Sequence, residues 1–172
     1  MSFFSRLLGT DADPRDRLRP LWFRVVELSR LPEYYARCGV ADTLEGRFDM
    51  VTQILSLTLL RMEKSRSLNR QCALLVELFV EDMDGQLRQS GVGDLVVGKH
   101  MGKLMSTLGG RLGALRDAFA SGSEEELVAA VERNVTFGPD GDPAALAARL
   151  SAMHEMLSGV SDADIIEGNF AR

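Results

Sequence analysis

Between residues 43 and 120, apolar side chains recur at helical spacing in three successive runs. Each run is preceded by a capping signal or polar joint and followed by a break, a pattern that dictates packed helices. In the first run, Asp42-Thr43-Leu44-Glu45 reads as a capping box: Asp42 accepts from the free amides of the first turn and Glu45 reaches back. Phe48, Val51, Leu55, Leu59 and Met62 then share a face. The second follows a polar joint at residues 65–69, carries Cys72, Leu75, Val76, Phe79, Met83 and Leu87, and stops at Gly91. The third opens at Asp94 with the stripe Val97, Met101, Leu104, Leu108, Leu112, Leu115 and Phe119. Beside that stripe lie Gly98, Gly102, Ser106, Gly109 and Gly113. An interior glycine costs roughly 1 kcal/mol relative to alanine, so the pattern predicts a neighbouring helix in close approach as compensation.

The flanks add shorter helices. Asp13 can cap a segment with Pro14 at its first position and Leu18, Leu21, Trp22, Val25 and Val26 as its stripe, kinked or restarted at Pro20. Residues 32–39 read as a helical turn carrying Tyr34 and Tyr35 and ended by Gly39. Ser123-Glu124-Glu125-Glu126 opens another helix, and Asp142-Pro143 a last strong one ending near Gly159. The fold class expected is all-α, a single helical domain of about six or seven helices around three long ones, 43–64, 70–90 and 95–120. The expected divisions are an amphipathic start over 1–12, a core over 13–136 and an acidic helical extension over 137–172.

Charge sharpens that last division. Residues 1–116 carry 17 basic and 14 acidic side chains, whereas residues 117–172 carry 3 and 11. Overall acidity, a net charge of −5, argues against nucleic acid as a partner, since phosphate binding needs a basic stripe. Cys38 and Cys72 match no metal or redox spacing and read as small buried hydrophobes in a reducing compartment. No run reaches the roughly 18–20 apolar residues of a membrane span, and no cleavable leader opens the chain, so cytoplasmic residence is expected, the face of the inner membrane included. There, Phe3, Phe4, Leu7 and Leu8, with Arg6, Arg15, Arg17 and Arg19 near them, could touch an anionic surface.

Residues that could carry chemistry are sparse. His100 and His154 fall in no metal-binding spacing. The acidic group Glu77, Glu81, Asp82 and Asp84 lacks the Glu-x-x-His of helical di-metal sites and reads as a solvated face in which Asp84 meets Arg88. Gly91-Val92-Gly93 and Gly98-Lys99 match no phosphate loop. No catalytic residue, metal or cofactor is expected.

At Gly39-Val-Ala-Asp-Thr-Leu-Glu-Gly-Arg-Phe-Asp-Met50 and at Glu81-Asp-Met-Asp-Gly-Gln-Leu-Arg-Gln-Ser-Gly-Val-Gly-Asp94, the chain resembles the ubiquinol-cytochrome c chaperone family. Supporting stretches are LWFRVVELSRLPEYY from Leu21, Val97-Val-Gly-Lys-His-Met101, Gly110-Arg-Leu112 and Arg133-Asn-Val135, so the similarity covers about residues 18–136. The resemblance implies an all-helical factor. Mitochondrial members assist biogenesis of the cytochrome b subunit of the cytochrome bc1 complex, holding the new chain and contacting the ribosome with a partner protein. Without a mitochondrial leader this chain is similar to a bacterial-type member, and its expected partner is a protein client, cytochrome b or a related membrane subunit. The candidate client or partner contacts are Trp22, Tyr34, Tyr35, Asp42, Arg47, Asp49, Asp82, Asp84, Arg88, Asp94 and Lys99. For the charged members an architectural role, capping helices and bridging neighbours, competes. The rival class is a helical small-ligand or lipid carrier, which an enclosed apolar cavity would favour.

Overall fold

A computed structural model of the chain describes residues 13–89 and 94–170, and the side chains of residues 87–101 lie outside the described residues. A 3-10 turn, Asp16–Leu18, leads into α1, Arg19–Ser29, with Pro20 in its first turn, where a missing amide costs nothing. After it come α2 (Pro32–Ala36), α3 (Leu44–Glu63), α4 (Asn69–Gln89), α5 (Asp94–Ser121), α6 (Glu124–Asn134), α7 (Pro143–Ser158) and α8 (Asp162–Glu167). Six of these have eleven residues or more, and the three longest fall where the apolar periodicity places them. The one departure from helix and loop among the described residues is an isolated antiparallel bridge between Val40 and Phe137.

Side-chain caps fix four of the helix starts. Ser123 accepts from the Glu126 amide, Asp142 from Ala145 and Ser161 from Asp164. At α3 the cap is Thr43, which accepts from the Gly46 amide, and Asp42 instead pairs with Arg47 at 2.7 Å. The cap thus sits one residue later than the capping box predicts.

The larger correction concerns α3 as a whole. It is not amphipathic: every residue from 49 to 62 is buried, because α1, α4, α5 and α7 pack around its whole circumference. Met50, Ile54, Leu57 and Leu60 join the predicted stripe, each full burial of such a side chain being worth about 1.5–3 kcal/mol. Phe48, expected inward, is only partly buried.

The C-terminal helices pack on this core. Arg61, at the end of α3, donates to the carbonyls of Leu157 and Val160 and to Asp162, which also accepts from Ser65 at 2.6 Å. Arg24 of α1 donates to the Phe170 carbonyl at 2.7 Å, and Phe170 is buried. The acidic C-terminal stretch is therefore seated on α1 and α3.

Candidate functional site

Two loops meet beside the start of α3. Ala41 donates its amide to the Thr136 carbonyl at 2.9 Å, Gly138 to Gly39 at 2.9 Å and Asp142 to Cys38 at 2.9 Å, so residues 38–42 and 136–142 form one backbone clasp. Gly39 has φ +68°, a left-handed conformation that favours glycine, and a Cβ there would lie 2.4 Å from the Asp140 carbonyl oxygen. A Cβ at Gly46 would lie 2.0 Å from the Ala41 carbonyl oxygen, so the first turn of α3 is pressed against the clasp.

Asp49 sits under this clasp. It is buried, and its carboxylate accepts from the Arg111 guanidinium of α5, from the Thr136 amide at 2.8 Å and from the Thr136 hydroxyl at 2.7 Å. Arg111 also donates to the Thr52 hydroxyl and lies 5.4 Å from the centre of the Phe48 ring, a cation–π distance. Phe48 and Trp22 each meet Phe79, at centroid distances of 6.3 and 6.0 Å. One connected group of side chains thus joins α1, α3, α4 and α5 to the 136–142 loop. Its charges are satisfied internally, which suits architecture.

The candidate contacts divide accordingly. Trp22, Tyr34 and Asp49 are buried, which leaves them no surface to offer a partner. Burial pushes the Tyr34 phenol up to about 12. Tyr35 is half-buried and donates to the Ser29 carbonyl at 3.0 Å. Asp42 and Arg47 form an exposed pair, and the Arg47 guanidinium holds the Asp42 carboxyl below its usual range. Asp82 accepts from Gln86 at 3.4 Å, and Asp84 is half-buried on α4. The side chains of Arg88, Asp94 and Lys99 lie outside the described residues, as do Phe3, Phe4, Leu7 and Leu8. Of the arginines expected at an anionic surface, Arg15 is paired with Asp13 at 2.6 Å and Glu81 at 3.2 Å, and Arg19 with Asp16 at 2.8 Å. Sequence reasoning did not single out Arg111 or Thr136 as partners of Asp49. Their signal is the stretches Gly110-Arg-Leu112 and Arg133-Asn-Val135, which contain or border both.

The glycine face of α5 is the second correction. No neighbouring helix closes on it: a Cβ at Gly102, Gly109, Gly110 or Gly113 would meet nothing within 4 Å. Gly109, Gly110, Gly113, Ala114 and Ala118 instead form one wall of an open groove of about 500 Å3, with Ala129 and Ala130 of α6 opposite. Asp117, Glu126 and Arg133 also line it. A second open pocket, about 350 Å3, lies where His154 of α7 stacks on Phe119 of α5 at 4.0 Å. Burial, then Lys64, lowers the His154 pKa, favouring the neutral ring. Among the described residues no three His, Cys, Asp or Glu side chains are placed to hold a metal, and no helix is long and apolar enough to cross a membrane.

A family model described as Ubiquinol-cytochrome C chaperone matches residues 36–172. The chain belongs to that family. The match includes the clasp, Asp49, Arg111 and the α5–α6 groove, and it continues through α7 and α8 beyond the stretch that carried the resemblance. Among solved structures, the Cbp3 homolog from Brucella abortus superposes with a TM-score of 0.78 at 28% identity, over 98% of this chain and 93% of that one. The chaperone-family fold therefore spans almost the whole chain. A search of curated proteins finds no match.

Proposed function

We propose that this chaperone-family member is a non-enzymatic assembly factor that holds an apolar helix of a newly made respiratory membrane subunit, cytochrome b of the cytochrome bc1 complex. The cytoplasmic face of the inner membrane is the place where it would meet that client. The observation that carries the reading is the open groove between α5 and α6. Glycine and alanine supply most of its lining, with Asp117, Glu126 and Arg133 beside them, and nothing in the described fold fills it. Membrane helices associate through small-residue faces that let backbones approach closely, so such a groove suits a client helix before its own partners are in place. The exposed pair Asp42–Arg47, together with Tyr35, Asp82 and Asp84, is the polar surface we assign to partner contacts. Arg88, Asp94 and Lys99 extend that assignment, and Phe3, Phe4, Leu7 and Leu8 are assigned to membrane contact. A carrier of small lipids would be favoured by an enclosed apolar cavity, whereas the two pockets described are open to solvent.

The test is affinity capture from membranes in mild detergent, with cytochrome b quantified in the eluate for the natural protein and for Gly113→Leu/Ala129→Leu, which fills the groove. The expected result is co-purification that falls at least tenfold in the variant while its circular dichroism stays unchanged and its melting temperature does not fall. Equal recovery from both proteins would move the client away from the groove, and no cytochrome b with either would overturn the reading.

A further inference from the structure

Glycine and alanine line the middle of the α5–α6 groove, and charge of opposite sign stands at its two ends. Gly122 and Ser123 are the whole connection between the two helices, so α5 and α6 run antiparallel and their residues can be placed along the groove. Asp117 of α5 and Glu126 of α6 flank the end beside that turn, and Arg133 shares the other end with Gly109 and Gly110. All three charged side chains are exposed, and none makes a hydrogen bond or ion pair among the described residues. Glu126 and Arg133 suit the dipole of α6, which favours a carboxylate in its first turn and a cation in its last. Asp117 has no such reason to be there: it lies one turn from the carboxyl end of α5, where the dipole disfavours a carboxylate. From Asp117 to Glu132 the sequence has no lysine or arginine, and the adjacent Arg116 is taken by Glu63 at 2.7 Å. The acidic end of the groove is thus left without a counter-charge.

Length narrows the occupant further. Gly109 to Ala118 spans about 14 Å of helix, or about two and a half turns, whereas a membrane helix needs about 30 Å to cross the hydrocarbon. The groove can therefore hold one end of such a helix and not its whole length. Membrane helices carry an excess of lysine and arginine at their cytoplasmic ends. We infer that the groove receives the basic cytoplasmic end of a membrane helix, its lysines or arginines against Asp117 and Glu126 and its adjoining apolar turns running over Gly113 and Ala129 toward Arg133. Arg133 acts against the reverse seating, which would bring like charges together. This direction rests on the client helix proposed above and specifies which of its ends is held.

Two synthetic peptides in mild detergent test it. Both carry the same leucine-rich helix with a glycine and alanine face, one flanked at its amino end by lysines and the other by glutamates. Fluorescence anisotropy with the full chain should show the lysine-flanked peptide bound about threefold to tenfold more tightly in low salt, with a smaller preference in high salt. Asp117→Asn/Glu126→Gln should abolish the preference, whereas Glu124→Gln/Glu125→Gln, which removes as much charge outside the groove, should keep it. A photo-cross-linking group among the lysines should mark residues 117–126 and not 105–110. Equal affinity for the two peptides, loss of the preference in both double variants, or cross-links at the Arg133 end would overturn the direction. If affinities are equal and Gly113→Leu/Ala129→Leu still weakens both peptides, the groove stands as a helix site and its polarity falls. If that variant weakens neither peptide, or neither binds, the function proposed above falls together with the direction.

Discussion

Replacing Asp49 by alanine tests the claim that the charged residues near the start of α3 serve the fold. The Asp49 and Arg111 side chains are 7% and 11% exposed, so the change leaves a guanidinium nearly out of water with no counter-charge, and the Thr136 amide and hydroxyl without their acceptor. Breaking a buried pair from one side costs about 3–5 kcal/mol, most of it the uncompensated charge. For a chain of this size each kcal/mol moves the melting temperature by about 2–4 °C, so a fall of about 6–20 °C is expected. Arg111→Met keeps an aliphatic stem over Phe48 and removes the charge. The double variant Asp49→Ala/Arg111→Met should therefore be more stable than the sum of the single losses, by about 2 kcal/mol. Differential scanning calorimetry in low salt and in 1 M salt gives the cycle, and the coupling should survive salt because water has little access to the pair. Arg47→Ala, which breaks an exposed pair, is the control and should leave the melting temperature where it was. A loss below about 1 kcal/mol for Asp49→Ala, or strict additivity in the cycle, would refute the architectural assignment.

Further perturbations test other contacts. Gly46→Ala pushes a methyl group onto the Ala41 carbonyl oxygen and should cost about 1–3 kcal/mol by urea titration, whereas Gly113→Ala points into open space and should gain up to about 1 kcal/mol. The Ser65 hydroxyl and the Arg61 guanidinium hold the Asp162 carboxyl below its ordinary value of 3.8. A lowered folded-state value means that the seating of α8 is at full strength above pH 3.8 and weakens as pH falls through the lowered value. Hydrogen exchange over 159–170 should therefore quicken selectively at pH 3 relative to pH 5 after correction for intrinsic rates, and Asp162→Asn should show the faster pattern at both. Identical protection in all four samples would remove Asp162 from the seating.

The helices were legible because their ends carry chemistry: Ser123, Asp142 and Pro143, and the loop at 65–69, mark boundaries locally. The burial of α3 was less legible. The eye follows the stripe Phe48, Val51, Leu55, Leu59, Met62, but Met50, Ile54, Leu57 and Leu60 complete an apolar surface on every side, the mark of a helix buried all round. Asp49, Thr52 and Arg61 obscure it, since each looks like a solvent-facing residue until a partner about 60 to 100 positions away is supplied. The α5 glycines misled in the opposite direction. Their spacing shows that a small-residue face exists, but whether a helix of the same chain covers it depends on packing that no local pattern encodes. The candidate contacts mix both cases, with Asp49 drawn inside and Asp42 left in water seven residues earlier.

Because α3 is enclosed by α1, α4, α5 and α7, its greasy circumference has no complete cover until the stretch ending at Ser158 has left the ribosome. A chaperone-family member therefore passes through a vulnerable period of its own during synthesis. Shortening it from the carboxyl end strips the last wall from its innermost helix, so truncations before α7 should yield aggregates and not a smaller working unit.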